Sequence, residues 1–187
     1  HGSLNDAMVQ DYYSTPSYNP FNQKYYINYM KTMGVINKVS EYESRWSNGL
    51  INRFILESLN GVKYILASSD PRRSYSQPGW KFSHDSIAQF GDVVVLKNKF
   101  NLSLGFGYKE YIRMSVFENL PATQKDFTSA RACVVNDEDL AKVSDLKEFN
   151  VKDTLAASQF TFELLKQYID SLKKSEMRIS EFEPTHI

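Results

Sequence analysis

The first part of the chain carries two helical patterns of apolar residues followed by a strand-like one. Over residues 21–33 apolar side chains recur at helical spacing, and Gly34 follows where a glycine commonly ends a helix. A second helical pattern covers 50–59, and the next residues, 62–67, have the β-branched and aromatic content of a buried strand. We therefore expect helix, helix and strand in that order, after an opening stretch, 1–20, that keeps no period and is predicted to be an irregular loop.

The middle of the chain combines a long polar loop with a predicted hairpin. Residues 68–90 are rich in serine, proline and arginine, and this composition predicts a loop. Strand-like runs at 92–97 and 102–108 are separated by the polar residues 98–101, which have the length of a hairpin turn. We expect these two runs to pair with each other.

The last part of the chain predicts two helices and a closing strand. One helix is expected at 124–134, with Thr123 and Asp126 at the spacing of a capping box. A longer helix at 154–173 carries a stripe of leucine, phenylalanine and tyrosine, which we expect to pack on the sheet. Residues 177–183 then alternate apolar and polar side chains, as a strand with one buried face does.

These patterns together predict an α+β fold. A small mixed or antiparallel sheet is expected to be covered by helices and to end in a strand that leads into a missing β-rich segment. We expect a single domain over residues 1–187, with 1–3 as a cut edge or a tag remnant. The strands expected in the sheet are 62–67, 92–97, 102–108 and 177–183.

The composition excludes several classes of partner. With 42% hydrophobic and 14% aromatic residues among 187, the chain can build a sizeable core. Its 22 basic residues are matched by 22 acidic ones, so no bulk charge attracts phosphate backbones, and no nucleic-acid partner is expected. No run approaches the roughly 20 apolar residues of a membrane-spanning helix.

Residue types that could carry chemistry are few and scattered. The three histidines lack metal-ligand spacing, so neither a metal nor a cofactor is expected. His84-Asp85-Ser86 contains the residue types of a catalytic triad, but sequence neighbours seldom point to one place. Cys133, the one cysteine, has no disulfide partner in the chain and lies in an apolar run that predicts a small core residue. We therefore predict no catalytic residue in this chain.

Aromatic residues are concentrated near the N-terminus. Tyrosine and phenylalanine crowd into residues 12–29, and two tryptophans follow in glycine-containing stretches that are predicted to be loops. Aromatic rings beside asparagine and aspartate are typical of sugar-binding surfaces, because rings stack on the apolar faces of sugars while polar groups bind the hydroxyls. The alternative, and the commoner arrangement, is that these tyrosines are core and interface residues. The candidate glycan-binding residues are Asp6, Tyr12, Tyr13, Tyr18, Trp46 and Trp80.

Short motifs along nearly the whole chain have the order and spacing of a known family. By these motifs the chain resembles the extracytoplasmic portion of YfhO-type bacterial membrane proteins. The strand pair 94–98 and 102–106 looks like that family's short strand pair, and 177–187 looks like the strand that opens its next β-rich segment. The remaining motifs are Asn5-Asp6-Ala7-Met8, Ser17-Tyr18-Asn19 with Phe21, the helix ending at Gly34, and Leu59-Asn60-Gly61-Val62-Lys63-Tyr64-Ile65-Leu66.

The resemblance implies a parent protein with many transmembrane helices, similar to glycosyltransferases that use lipid-linked sugars. This chain would be its outward-facing domain, periplasmic or extracellular, without the membrane-proximal loop that carries the catalytic acid of such enzymes. Its expected partners are the parent's own transmembrane and C-terminal β segments, together with a cell-envelope glycan or polymer that it helps to position. The alternative is a structural or protein-interaction domain that binds no glycan.

Overall fold

The chain falls into two compact units, His1–Arg53 and Phe54–Ile187, in its computed structural model. The single domain over 1–187 stays a prediction. Within the part of the chain that the structure describes, no helix is both long enough and apolar enough to cross a membrane. The described residues are 7, 9, 11–18, 22–50, 53–70, 80–151, 161–178 and 180.

Among residues 11–50 that the structure describes, two short strands pair with each other, and two helices lie between them along the chain. Helix α1 lies inside the predicted range 21–33, and Gly34 follows it with φ +68°, as the glycine signal requires. The side chain of Gln23 accepts a hydrogen bond from the Tyr26 amide and so caps the start of α1. The named elements of this unit are β1 (Pro16–Tyr18), α1 (Lys24–Thr32), α2 (Glu41–Arg45) and β2 (Trp46–Asn48).

The pairing of β1 with β2 corrects two predictions, the irregular loop over 1–20 and the loop around Trp46. In the antiparallel register Tyr18 lies opposite Trp46 and Ser17 opposite Ser47. Strands of three residues are too short to display an alternating pattern, and here the partner lies far along the chain. The ladder therefore depends on tertiary contacts, which the local sequence does not predict.

A glycine lets the turn after β2 approach the start of β1. Gly49 has φ +74°, and a Cβ atom there would lie 2.5 Å from Thr15 Oγ1 and 3.0 Å from the Pro16 nitrogen. The Tyr26 hydroxyl donates a hydrogen bond to the Thr15 carbonyl at 3.0 Å, which fixes α1 against the same segment. Both the backbone angle and the close approach therefore require glycine at position 49.

The second unit opens with an antiparallel sheet, which confirms the α+β class. The strand order is β3-β5-β4, so β5 is central and β3 and β4 are edges. Helix α3 begins at Phe54 rather than at the predicted position 50 and ends as expected at Leu59. The elements are α3 (Phe54–Leu59), β3 (Tyr64–Ser68), α4 (Trp80–Ser83), β4 (His84–Phe90) and β5 (Val93–Asn98).

The predicted partner of β5 was wrong. The strand at 92–97 is confirmed, but it pairs with β4, which lies inside the range 68–90 that was predicted to be a loop. β4 is an edge strand that is mostly exposed after its buried first residue, His84, and it has no regular apolar alternation. The tight turn at Gly91, with φ +59°, brings β5 back against it. Residues 102–108 form no strand of this sheet; instead the Leu102 amide bonds the Ser58 carbonyl at 3.0 Å.

A second, parallel sheet follows, and no sequence pattern predicted it. Its order is β7-β6-β8, with β6 in the centre. Helix α6 overlaps the predicted range 124–134 but begins earlier, at Ala122, and ends earlier, at Ser129, and Cys133 already belongs to a strand. The elements are β6 (Glu110–Arg113), α5 (Met114–Phe117), α6 (Ala122–Ser129), β7 (Cys133–Val135), the 3₁₀ helix η1 (Asp137–Val143), β8 (Lys147–Glu148) and α7 (Phe162–Lys173).

Two further helix predictions are corrected at their N-termini. The capping box expected from Thr123 and Asp126 is absent, since Pro121 is the N-cap of α6 and makes no side-chain capping bond. Helix α7 begins at Phe162, and Thr161 caps it by accepting a bond from the Leu164 amide at 3.2 Å. The earlier predicted turns, at 154–160, lie outside the described residues.

The core of the second unit joins helices to the segment after β5. Leu165, Ile169 and Leu172 face inward from α7, as the apolar stripe predicts. They pack in a cluster with residues of helices and of the 100–102 segment, and not on the sheet face that was expected. Residues 179 and 181–187, with most of the predicted strand 177–183, lie outside the described residues, while Glu176 forms a bridge with Phe106. The cluster's buried members are Ile55, Phe100, Leu102, Ala130, Leu165, Ile169 and Leu172.

Candidate functional site

An open groove of about 560 Å³ lies in the first unit, where α2 passes into β2. The side chain of Ser40 accepts a hydrogen bond from the Glu43 amide at 3.2 Å and so starts α2. Arg45 ends the helix and Trp46 begins the strand, so one short stretch of chain presents helical and strand side chains to the same groove. The residues that line it are Lys38, Ser40, Tyr42, Glu43, Arg45 and Trp46.

Three aromatic rings form a row, which we call the aromatic row: Tyr42 and Trp46 line the groove, and Tyr18 contacts Trp46 without lining it. The ring centroids of Tyr18 and Trp46 are 4.3 Å apart with an interplanar angle of 40°. Those of Tyr42 and Trp46 are 6.4 Å apart at 33°. Trp46 is 45% exposed and Tyr42 73% exposed, so the row offers aromatic surface to a ligand as well as packing within itself.

Charged and polar groups flank the aromatic row. The Glu43 carboxylate accepts a bond from the Lys38 amide at 3.1 Å through one oxygen, and a carboxylate has further acceptor positions on the other. Lys38 and Arg45 bring two positive charges to the lining against the one negative charge of Glu43. Rings beside donors and acceptors can bind a sugar by stacking on its apolar face and hydrogen-bonding its hydroxyls.

The structure brings two of the six candidate glycan-binding residues together. Tyr18 and Trp46 are in ring contact, although the helices α1 and α2 separate them in sequence. Tyr12 and Tyr13 are exposed in the same unit but do not line the groove. Trp80 belongs to the second unit, where it begins α4 with Lys81 Nζ 5.9 Å from its ring centroid. Asp6 lies outside the described residues.

Sequence reasoning missed most of the groove lining, notably Tyr42, Lys38 and Arg45. A signal was present, because Ser40 followed three residues later by Glu43 is the spacing of a capping box. That signal places a helix start just before Trp46. What no local pattern supplies is the contact with Tyr18 that completes the row.

His84-Asp85-Ser86 does not assemble into a catalytic triad. His84 is buried and its Nδ1 lies 2.9 Å from the hydroxyl of Ser83, not of Ser86. Asp85 is exposed and forms an ion pair with Lys99 at 3.5 Å. Burial lowers the pKa of the His84 imidazole, so the neutral ring is favoured. Neighbouring residues on a strand point to opposite faces, which explains the separation.

Charged residues at the carboxyl edge of the parallel sheet are paired with one another. Arg113 donates from Nε to Glu148 Oε1 at 2.7 Å, and this hydrogen bond lowers the pKa of the Glu148 carboxyl. Asp137 accepts from the Ser115 hydroxyl at 2.8 Å, and this bond lowers the pKa of Asp137. Carboxyl groups held ionised in this way do not have the raised pKa that a general acid needs.

The described residues contain no group of three or more histidine, cysteine, aspartate or glutamate side chains that could hold a metal ion. Cys133 is half-buried in β7, with Sγ 3.5 Å from the Glu110 carbonyl oxygen. Burial raises the pKa of the Cys133 thiol, so its position disfavours the thiolate. This agrees with a structural role for the cysteine.

Comparison with known proteins identifies a family. Neither a curated protein nor a solved structure matches the chain. A family model, described as bacterial membrane protein YfhO, matches residues 2–186. This range holds both compact units and the whole aromatic row, so the chain belongs to the YfhO family of bacterial membrane proteins.

Proposed function

We propose that this chain is a non-catalytic, extracytoplasmic part of a glycosyltransferase-like membrane protein, and that its aromatic row binds a cell-envelope glycan. The observation that carries the proposal is the contact of Tyr18 with Trp46 beside the exposed ring of Tyr42. The glycan is an acceptor or polymer that the domain holds in position. The chemistry belongs to other parts of the parent protein.

The dimensions of the groove support a carbohydrate ligand. Its volume of about 560 Å³ falls within the roughly 300–1,000 Å³ of small-molecule sites. The groove is open, so it can accept one or two sugar units of a longer polymer that continues into solvent. The exposed tryptophan in its lining, Trp46, supplies the large apolar surface on which a sugar ring stacks.

The charges of the lining favour an acidic glycan over a neutral one. Lys38 and Arg45 outnumber Glu43, so a carboxylate or phosphate on the polymer meets a net positive lining. Lys38 is exposed and Arg45 is partly buried. Salt screens charges at the surface with a Debye length of about 10 Å at 0.1 M. An acidic ligand should therefore lose affinity as salt rises, while a neutral ligand should not.

Two tyrosine variants provide the test, because both tyrosines lie on helices of the first unit and are exposed to a similar degree. Tyr42 is 73% exposed at the groove, and Tyr25, 77% exposed on α1, lies outside the lining. We expect Tyr42→Ala to weaken binding of a soluble glucuronic-acid oligosaccharide about 3- to 10-fold, the value of a lost aromatic contact. Tyr25→Ala should leave the affinity unchanged. The measurement is a titration followed by the fluorescence of Trp46 or by calorimetry.

Equal affinities of the two variants would contradict the proposed site, provided that circular dichroism shows both to be folded. Absence of binding by the unaltered chain, to acidic and to neutral N-acetylglucosamine oligosaccharides alike, would favour the alternative. In that case the chain is a structural or protein-interaction domain of the parent protein with no glycan ligand.

A further inference from the structure

One face of the antiparallel sheet in the second unit is apolar and exposed. Residues paired across an antiparallel ladder lie on the same face, so the register defines three rows. Leu66 in the middle row is 61% exposed and Phe90 in the last row 70% exposed. The rows are Tyr64–Lys97–Asp85, Leu66–Val95–Ala88 and Ser68–Val93–Phe90, which we call the exposed sheet face.

The other face of the same sheet is packed at the end formed by Leu96, Asn98 and His84. Leu96 and Asn98 of β5 are both almost completely buried, and Asn98 donates to Ser58 Oγ and to the Val62 carbonyl at 3.0 Å. Antiparallel sheets commonly have one face packed and one facing water, but the water-facing one is then polar. A contiguous apolar surface in that place marks an interaction site.

Charge is distributed unevenly along the exposed sheet face. Lys97 lies at one end, and Lys63 Nζ stands 5.5 Å from the ring centroid of Tyr64 at that same end. Asp92 and Asp70 lie at the other end, where the Ser69 amide donates to the Asp92 carbonyl at 2.8 Å and keeps the two segments adjacent. The face therefore has a basic end and an acidic end on either side of an apolar middle.

Asp85 also lies at the basic end but is neutralised locally. Its carboxylate pairs with Lys99 at 3.5 Å. The lysine excess of that end therefore remains, and it comes from Lys97 and Lys63.

We propose that the exposed sheet face packs against the same face of a second copy of the chain, with the strands antiparallel across a twofold axis. In that arrangement the Leu66–Val95–Ala88 row meets its own counterpart. The basic end of each copy then lies over the acidic end of the other, so that Lys97 approaches the partner's Asp92. The opposite orientation would set lysine against lysine, so charge selects one of the two ways in which the faces can stack.

The size of the face sets the strength of the contact. Three strands about 4.8 Å apart and five steps of about 3.4 Å give a patch of roughly 14 by 17 Å. That is well below the roughly 800 Å² that each partner buries in a standard stable interface, so the dimer is weak and forms at about 100 µM and above. Because the family is one of membrane proteins, copies held in one membrane meet at a raised effective concentration, at which a weak contact suffices.

Sedimentation velocity of the full chain over a concentration series tests the proposal, with two leucine variants as a matched pair. Leu66 is central to the exposed sheet face, whereas Leu104 is exposed to the same extent elsewhere in the second unit. We expect the unaltered chain and Leu104→Lys to dimerise with rising concentration. Leu66→Lys should stay monomeric, because it sets two like charges against each other at the twofold axis. A monomer at about 1 mM for the unaltered chain would overturn the proposal, since the small face still predicts association there.

A charge exchange separates the proposed geometry from non-specific association. Lys97→Glu and Asp92→Lys should each weaken the dimer roughly 5-fold, because each opposes like charges twice across the axis. The double variant Lys97→Glu with Asp92→Lys restores opposite charges and should restore the dimer. Failure of the double variant to recover would refute the antiparallel arrangement. A third outcome is that the chain stays monomeric but binds vesicles of phosphatidylcholine and phosphatidylglycerol, and that Leu66→Lys abolishes this binding. The exposed sheet face would then bind a lipid bilayer and not a second copy, which would overturn the proposal.

Discussion

Shortening one leucine on α7 provides the sharpest test of how the second unit is held together. Leu165 is 1% exposed and belongs to the cluster that joins α7 to α3, to α6 and to the segment after β5. Replacing a fully buried leucine by alanine removes its transfer free energy and leaves a cavity, which together cost about 3 kcal/mol. A domain with about 5–15 kcal/mol of stability survives this loss but unfolds at a lower denaturant concentration.

Leu165→Ala should therefore lower the urea concentration at which half of the second unit is unfolded, with little change in the denaturant slope m. It should also lower the Tm of the second unit by about 10 °C. Trp80 lies in the second unit and Trp46 in the first. If Trp46→Phe is introduced into the unaltered chain and into each variant, tryptophan fluorescence reports on the second unit alone. Leu104→Ala is the matched control, because Leu104 is exposed and its truncation should cost less than about 0.5 kcal/mol.

A midpoint for Leu165→Ala equal to that of Leu104→Ala would refute the packing of α7 into this cluster. The more drastic Leu165→Asp would bury a charge without a partner, and we expect it to unfold the second unit outright. Survival of the Asp variant with an unchanged melting curve would lead to the same conclusion.

Two further predictions concern the backbone and pH. Gly49→Ala should destabilise the first unit by more than about 1 kcal/mol, because the added Cβ would collide with Thr15 and would also strain the backbone at a positive φ. At Gly91 an added Cβ meets nothing within 4 Å, so Gly91→Ala should cost only the backbone strain. Equal losses of stability for the two variants in thermal melts would contradict the collision at Gly49. Burial lowers the pKa of His84 in the folded state, so between the folded and unfolded pKa values the unfolded chain binds a proton that the folded chain does not. The contribution of His84 to the stability of the second unit should therefore be complete above about pH 6.5, decline as the pH falls towards the folded pKa, and level off below it. His84→Gln should flatten this decline in urea midpoints between about pH 7.5 and 5.5, and an undiminished decline would assign it to other groups.

Helices and the central strand of the antiparallel sheet were predictable from local sequence because their signals are local. α1 ends beside Gly34, the inward face of α7 repeats at helical spacing, and β5 is a run of β-branched residues. Each pattern acts within one element, over residues close together in sequence. The boundaries were less accurate, since the start of α3 and the end of α6 depend on neighbouring segments rather than on their own residues.

Two residues of the proposed site were selected from the sequence, but their contact was not predicted. Tyr18 and Trp46 were selected as candidate glycan-binding residues, and their ring contact exists only because β1 pairs with β2. Tyr42 was not selected, since it needs the short helix α2 to bring it beside Trp46. Trp80 was selected by composition alone, and the fold places it in the other unit.

The sequence by itself determined the α+β class, the main helices, the central strand β5 and the family to which the chain belongs. The tertiary structure decided which strands pair: β4 with β5 rather than 102–108, β1 with β2, and the parallel set around β6. Short strands of two to seven residues carry too little pattern to select a partner. Their pairing is stabilised by contacts with distant parts of the chain, and those contacts exist only once the chain has folded.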